Sequence, residues 1–210
     1  MILRVGLTGG LASGKSTVAA RLRERGIPVL DADKIVHHLY EPGHEGTHAV
    51  AKAFGAEFLT SGGAVDRPRL ALQVFQDGAA LRRLNALVHP LVIAEQARWF
   101  ERLEREEESL GVVEATLLVE SGGRDRHDLI VTVSAPEELR LTRAAGRTPG
   151  ADEEELRQRV KGQLPDDQRE AVADVVIRNE GSLDELLAEA DRLAVTLRGF
   201  AQQQIDPAPE

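Results

Sequence analysis

The stretch that most constrains this chain is "GGLASGKS", Gly9–Ser16, in which two glycines four residues apart lead into a lysine and a hydroxyl. Glycines let the backbone turn so tightly that successive N–H groups point into one concavity and hold phosphate oxygens. The lysine of such a loop reaches the β- and γ-phosphates, and the hydroxyl after it is a Mg²⁺ ligand. The loop needs a strand before it and a helix after it. Here apolar "LRVGLT" (Leu3–Thr8) precedes, and Ser16–Arg25 follows with Val18 and Leu22 on one stripe. The sequence therefore predicts a nucleoside triphosphate held by Gly9, Gly10, Leu11, Ala12, Ser13, Gly14, Lys15, Ser16 and Thr17, with Mg²⁺ on Ser16.

Four further apolar runs read as buried strands bounded by turn residues: Pro28–Ala32, Gly111–Val119, Asp128–Ala135 and Ala173–Gly181. Strands that alternate with helical patterns imply an α/β fold, here a five-stranded parallel sheet flanked by helices. The spacing is uneven. Residues 33–110 hold only helical pieces: Lys34–Tyr40, Thr47–Phe54, Pro68–Phe75, Ala79–Val88 and a long one from about Pro90 to Glu108. That is far too much for a simple crossover, so the segment reads as a helical insertion, the place for a second substrate. Residues 136–169 are polar and helical and carry the close pair Arg143 and Arg147, and within them "TPGADEEEL" is a turn before an N-capped helix. Residues 1–32, 111–135 and 170–200 then form the nucleotide-binding core, and 201–210 a polar, proline-bearing tail expected to be disordered.

Bulk properties exclude several classes of function. A formal charge of −9 argues against nucleic acid as a partner. No run approaches the roughly 18 apolar residues of a membrane span, cysteine is absent, and the start lacks a secretory leader pattern. A cytoplasmic protein acting on small anionic ligands is expected, with the oligomeric state left open. GTPases need a base-reading N-K-x-D and a D-x-x-G after the third strand, and neither occurs. An AAA-type ATPase would be larger. What remains is a small kinase that passes the γ-phosphate to a second bound molecule.

Asp31 and Asp33 lie where the second strand ends, in "VLDADKIVHHLY". Ligands gather beyond the carboxyl ends of strands in such sheets, which places Asp33 to accept a proton from an attacking hydroxyl. Two readings stand for it: catalytic base, or N-cap of the helix from Lys34. Asp31 would orient Asp33, the metal or a lysine. His37 and His38 read as surface or packing residues, with no acidic partner spaced to complete a metal site.

Taken together, "GLTGGLASGKSTVA", "DADKIVHHLYEPG", "LNALVHPLV" and "ADVVIRNEGS" resemble the dephospho-coenzyme A kinase family, in the family's order and from about Leu3 to Leu187. The resemblance implies ATP-dependent phosphorylation of the ribose 3′-hydroxyl of dephospho-coenzyme A, with residues 33–110 as the coenzyme A domain. It also implies that Asp33 is the general base, that Thr8 lies beside the acceptor, and that residues 136–169 form a lid whose arginines are Arg143 and Arg147. Asn179 and Gly181 would lie by the adenine, or form an ordinary strand-to-helix turn. His89 would hydrogen-bond the acceptor or cap the helix from Pro90. The chain departs from the family at "EATLLVE", where Thr116 replaces a proline and Val119 a phenylalanine. Glu114 there takes the place of the family's first acid with its metal role open, while Glu120 keeps the terminal acid and is read as touching substrate. The lid departs too, with a glycine and a proline where a continuous helix is the pattern. A kinase of another small acceptor and a catalytically silent nucleotide-binding regulator are the alternatives. The second would show a damaged Lys15, Ser16 or Asp33, and all three are intact.

Overall fold

A computed structural model describes residues 1–147 and 152–205. They contain strands β1 (Leu3–Gly9), β2 (Val29–Asp31), β3 (Leu110–Glu114), β4 (Leu129–Ser134) and β5 (Val175–Arg178). The helices are α1 (Lys15–Glu24), α2 (Ala32–Leu39), α3 (Glu45–Phe54), α4 (Arg67–Gln76), α5 (Gly78–Arg105), α6 (Glu137–Arg147), α7 (Glu153–Lys161), α8 (Asp166–Ala171) and α9 (Leu183–Ile205). The chain divides into two units, residues 1–30 with 100–210, and residues 31–99.

The sheet runs β2-β3-β1-β4-β5. β1 is central and pairs in parallel with β3 (Val5 opposite Val112) and with β4 (Leu7 opposite Val131), while β4 pairs in parallel with β5 (Val133 opposite Ile177). Strands buried on both faces need continuous apolar character, which explains why Leu3, Val5, Leu7, Val112, Val131 and Val133 are all buried. One face packs on α1 and α9, where Val18, Ala19, Leu22, Leu186, Ala190, Leu193 and Leu197 complete the core. Because β1 lies between its neighbours, its carboxyl end opens directly into the glycine loop. Helices α6 and α7 close a second, smaller cluster in which Leu141, Ala144, Leu156 and Val160 pack on Leu11 and Ala12 of that loop.

The second unit is all helical apart from a 3₁₀ turn at 56–58 and one bridge, Leu59 opposite Val65. Thr47 ties the turn after α2 by donating to the Glu41 carbonyl at 2.6 Å. Asp66 accepts from Arg69 N–H at 3.1 Å and caps α4.

Several boundaries differ from the sequence reading. The predicted third strand ran to Val119, but β3 stops at Glu114, and Ser121, Gly122 and Gly123 donate back to Leu117, Leu118 and Val119 carbonyls at 2.7–3.0 Å. Turn hydrogen bonds outcompete pairing there, and Leu118 fills the space over Gly6. The two helices predicted on either side of Pro90 are a single helix, α5. A proline inside a helix costs roughly 3 kcal/mol, yet the buried stripe Val88, Gln96, Phe100 and Leu103 runs through it at helical spacing. His89 therefore lies in mid-helix and caps nothing. Asp33 is not the cap of α2 either. That helix starts at Ala32, and Asp31 accepts from Asp33 and Lys34 N–H at 3.0 and 3.3 Å. Residues 201–205 of the expected tail continue α9. The turn expected at "TPG", within residues 148–151, and residues 206–210 lie outside the described residues.

Candidate active site

The loop between β1 and α1 owes its shape to local backbone rules. Gly14 sits at φ 103°, where a side chain is strained, and a Cβ there would run into Asn179 Nδ2. Ala12 takes a left-handed φ of 56° without being glycine, a small strain of the sort that phosphate-binding turns carry. Asn179, which follows β5, is buried, and its Nδ2 donates to the Ser13 carbonyl at 2.7 Å. The loop is thus pinned by a side chain 166 residues away.

Lys15 at the start of α1 is buried, and its Nζ lies 3.0 Å from Glu114 Oε1 at the end of β3. Arg23 approaches the other carboxylate oxygen at 3.5 Å. Burial works against the Glu114 charge, but the Lys15 ammonium, a hydrogen bond from Ser16 and Arg23 outweigh it and hold the carboxyl below its ordinary range. Lysine, serine and an ionised carboxylate therefore meet at one point. Glu114 is the acid whose metal role the sequence left open, and ending β3 at this residue aims it at the loop.

Arg143 of α6 donates to the Asn179 carbonyl at 3.0 Å, to Asn179 Oδ1 at 3.3 Å and to the Gly181 carbonyl at 3.4 Å. Arg143 and Arg147, one turn apart, line a cleft of about 260 Å³ with Gly14, Thr17, Asn179 and Leu186. Of the two sequence-level readings of "NEGS", the strand-to-helix turn is the one seen here. Gly181 receives Arg143, while Ser182 and Glu185 form a reciprocal cap of α9, with Ser182 N–H to Glu185 at 2.7 Å and Glu185 N–H to Ser182 at 3.2 Å.

The sequence reading missed a set of groups beside the loop. Arg140, one turn before Arg143, is buried with Nη2 3.0 Å from Asp166, and a Cβ on Gly10 would run into its Nη1. Arg169 is fully buried; it donates to Asp166 at 2.6 Å and the Leu164 carbonyl at 2.7 Å, and it faces Glu120 at 3.5 Å. Gln163 Oε1 accepts from Leu11 N–H at 2.9 Å, so one donor of the loop already holds an oxygen. A third arginine at helical spacing was the available signal for Arg140. Gln163 and Arg169 carry no local pattern that sets them apart.

The remaining candidate residues sit as follows. Thr8 is buried and donates to the Thr116 carbonyl at 3.3 Å. Glu120 accepts from Leu164 N–H at 3.0 Å. Asp33 lies in the first turn of α2, and His89 is half-buried in α5. The second unit has its own cleft of about 500 Å³, lined by Phe54, Phe58, Gln73, Asp77 and Arg83 among others, with the Arg83 guanidinium 5.6 Å from the Phe54 ring centre. Among the described residues no helix is long and apolar enough to cross a membrane.

A loop for a triphosphate, an acid beside its lysine and serine, and arginines on an adjoining helix are the parts of a phosphoryl-transfer enzyme. Known proteins match this assembly over nearly the whole chain. The family model described as dephospho-CoA kinase matches residues 3–185. A dephospho-CoA kinase of Corynebacterium glutamicum is 40% identical over 192 residues, covering 91% of this chain and 96% of that protein. One from Anaeromyxobacter dehalogenans is 40% identical over 205 residues, covering 98% and 97%. A crystal structure from Thermus thermophilus superposes with a TM-score of 0.78 at 35% identity, covering 93% of this chain and 97% of that one. The dephospho-CoA kinase of Campylobacter jejuni shares the fold at a TM-score of 0.71 and 23% identity, covering 97% and 100%. With a phosphate loop whose lysine, serine and acid converge, and with these relatives, the chain belongs to the dephospho-CoA kinase family.

Proposed function

We propose that this chain transfers the γ-phosphoryl group of ATP to the 3′-hydroxyl of the ribose of dephospho-coenzyme A, giving coenzyme A and ADP, in the cytoplasm. The observation that carries the chemistry is the buried meeting of Lys15 and Glu114 at 3.0 Å inside the glycine loop. It sets an ammonium against a carboxylate in a site from which water is largely excluded, where charge acts over a short range with little screening.

The donor nucleotide lies in the cleft bordered by Gly14, Thr17 and Asn179, with its phosphates on N–H groups of the Gly9–Thr17 loop other than that of Leu11, which holds Gln163. Lys15 leaves Glu114 to meet the β- and γ-phosphates. Arg143 and Arg147 present planar donors from one face of α6 to the charge that spreads over the phosphoryl oxygens in flight. Asp33, which capping does not need, orients the acceptor hydroxyl and takes its proton. Mg²⁺ fits the donor set, because Ser16 and the ionised Glu114 offer adjacent oxygens and this ion prefers oxygen ligands. When bound it neutralises the β- and γ-phosphate charge. Thr8 and Glu120 of the first unit and His89 of the second serve the acceptor; the second unit's own cleft carries aromatic and arginine groups. Stacking on Phe54 and pairing with Arg83 would suit a nucleotide-bearing acceptor.

The test is ADP release with ATP, Mg²⁺ and dephospho-coenzyme A beside arms with AMP, gluconate and no acceptor, with the product read by phosphorus NMR. Turnover only with dephospho-coenzyme A, giving a 3′-phosphomonoester, supports the proposal. Turnover with another acceptor would retain the kinase and overturn the substrate, and silence in every arm with ATP still bound would overturn catalysis.

A further inference from the structure

At the end of α2 farthest from Asp33, His38 Nδ1 lies 3.0 Å from Glu41 Oε2, and His44 Nε2 lies 3.8 Å from the same oxygen. The two imidazole rings are 4.1 Å apart between centres, edge to face. All three ligand atoms lie within 4.8 Å of one another. The sequence reading dismissed His38 as a ligand for want of an acidic partner. The chain supplies one by ending α2 at Leu39 and turning through Pro42 and Gly43, with Gly43 at φ 80°. That turn carries His44 back over the helix end, converting the spacing H-x-x-E-x-x-H into a cluster.

We propose that His38, Glu41 and His44 bind a divalent transition ion of the zinc class. Three features support the assignment. Two neutral imidazole nitrogens and one carboxylate oxygen are the ligand set such ions choose, and Mg²⁺ and Ca²⁺ do not. Both rings turn a nitrogen toward a single carboxylate oxygen, which a hydrogen bond from one ring alone does not require. The three ligand atoms, all within 4.8 Å of one another, are close enough to share one ion. Water would complete a four-coordinate shell. His38 and Glu41 are exposed, so an ion reaches the site without unfolding. Bound there, the ion would clamp the end of α2 to the start of α3 and stiffen the turn between them, restraining the helix that carries Asp33.

The experiment uses the full-length chain freed of metal and of any histidine tag, titrated calorimetrically with zinc chloride. Cobalt absorption serves as a second readout and melting temperature as a third. We expect one ion per chain, a tetrahedral-type cobalt spectrum, and a melting temperature raised by zinc. His38→Asn, Glu41→Gln and His44→Asn should each weaken binding at least about tenfold and abolish the zinc-dependent rise. His37→Asn and His48→Asn alter exposed neighbours outside the cluster and should change neither. Absence of stoichiometric binding would overturn the site and leave the cluster a hydrogen-bonded turn. Equal loss from the His37 or His48 variants would overturn it too, by showing diffuse binding to surface imidazoles.

Discussion

Replacing Glu114 by Gln keeps the shape of the side chain and removes the charge that faces Lys15. At 3.0 Å, and with an effective dielectric of about 20, the attraction is roughly 5 kcal/mol before desolvation. Removing one member of a buried pair typically costs about 3–5 kcal/mol, because the other is left uncompensated. Arg23 sits on the far carboxylate oxygen at 3.5 Å and is partly exposed, so its own loss is small. The lower end, about 3 kcal/mol, is therefore expected, or a melting temperature lower by about 6–12 °C for a chain of this size. The assay is calorimetric unfolding of the ligand-free variant and wild type, repeated with ATP alone and with ATP and Mg²⁺. In the wild type, Lys15 must leave Glu114 to meet phosphate. In Glu114→Gln it has no such competitor, so metal-free ATP should stabilise the variant more than the wild type. Adding Mg²⁺ should then help the variant less, since one oxygen ligand has lost its charge. A melting temperature within about 1 °C of wild type, together with an unchanged Mg²⁺ dependence, would refute both the energetic weight given to the pair and the place of Glu114 in the site.

Three further outcomes are expected. Asp33→Asn should lower turnover by about 10²-fold or more while ATP affinity, read by calorimetry, changes less than twofold; unchanged turnover would dismiss Asp33 as the base. Gly14→Ala places a side chain at φ 103° and against Asn179, so ATP binding should weaken at least about tenfold with the circular dichroism of the sheet retained; normal binding would show that the loop does not need this backbone. The imidazole of His127 is pushed below its ordinary value by burial, against a weaker opposing pull from its contact with the Gly123 carbonyl at 2.8 Å. Since the unfolded chain then takes up the proton first, stability should fall as pH drops through about 6.5. His127→Asn should flatten that slope in urea titrations between about pH 7 and 5, and an identical slope would assign the acid sensitivity elsewhere.

The parts of the fold legible in the sequence were those set by local rules. β1, β4 and the start of α1 follow from apolar runs and from the glycine loop, whose backbone requirements are written in Gly9, Gly14 and Lys15 themselves. The turn at Gly181 into α9 is likewise a short-range signal. Boundaries failed where two local preferences competed. The run after Glu114 has strand-forming residues, but Gly122 and Gly123 let the chain turn and donate back on itself. At Pro90 a local helix breaker lost to burial along one face of α5.

The candidate site divides along the same line. Sequence alone marked Gly9–Thr17 as a phosphate loop and Lys15, Ser16, Arg143 and Arg147 as candidates to serve it, because a phosphate cradle is built from consecutive backbone groups. Only the tertiary structure decided what faces that cradle: Glu114 on Lys15 across 99 residues, Asn179 on Ser13 across 166, and Gln163 on Leu11 across 152. It also buried Arg140 and Arg169 around Asp166 beside Gly10, and it closed His38, Glu41 and His44 into one cluster. Charge and hydrogen-bond partners are chosen by which strand ends and helix faces meet in space. That choice is made by packing the whole sheet, so no short stretch of residues contains it.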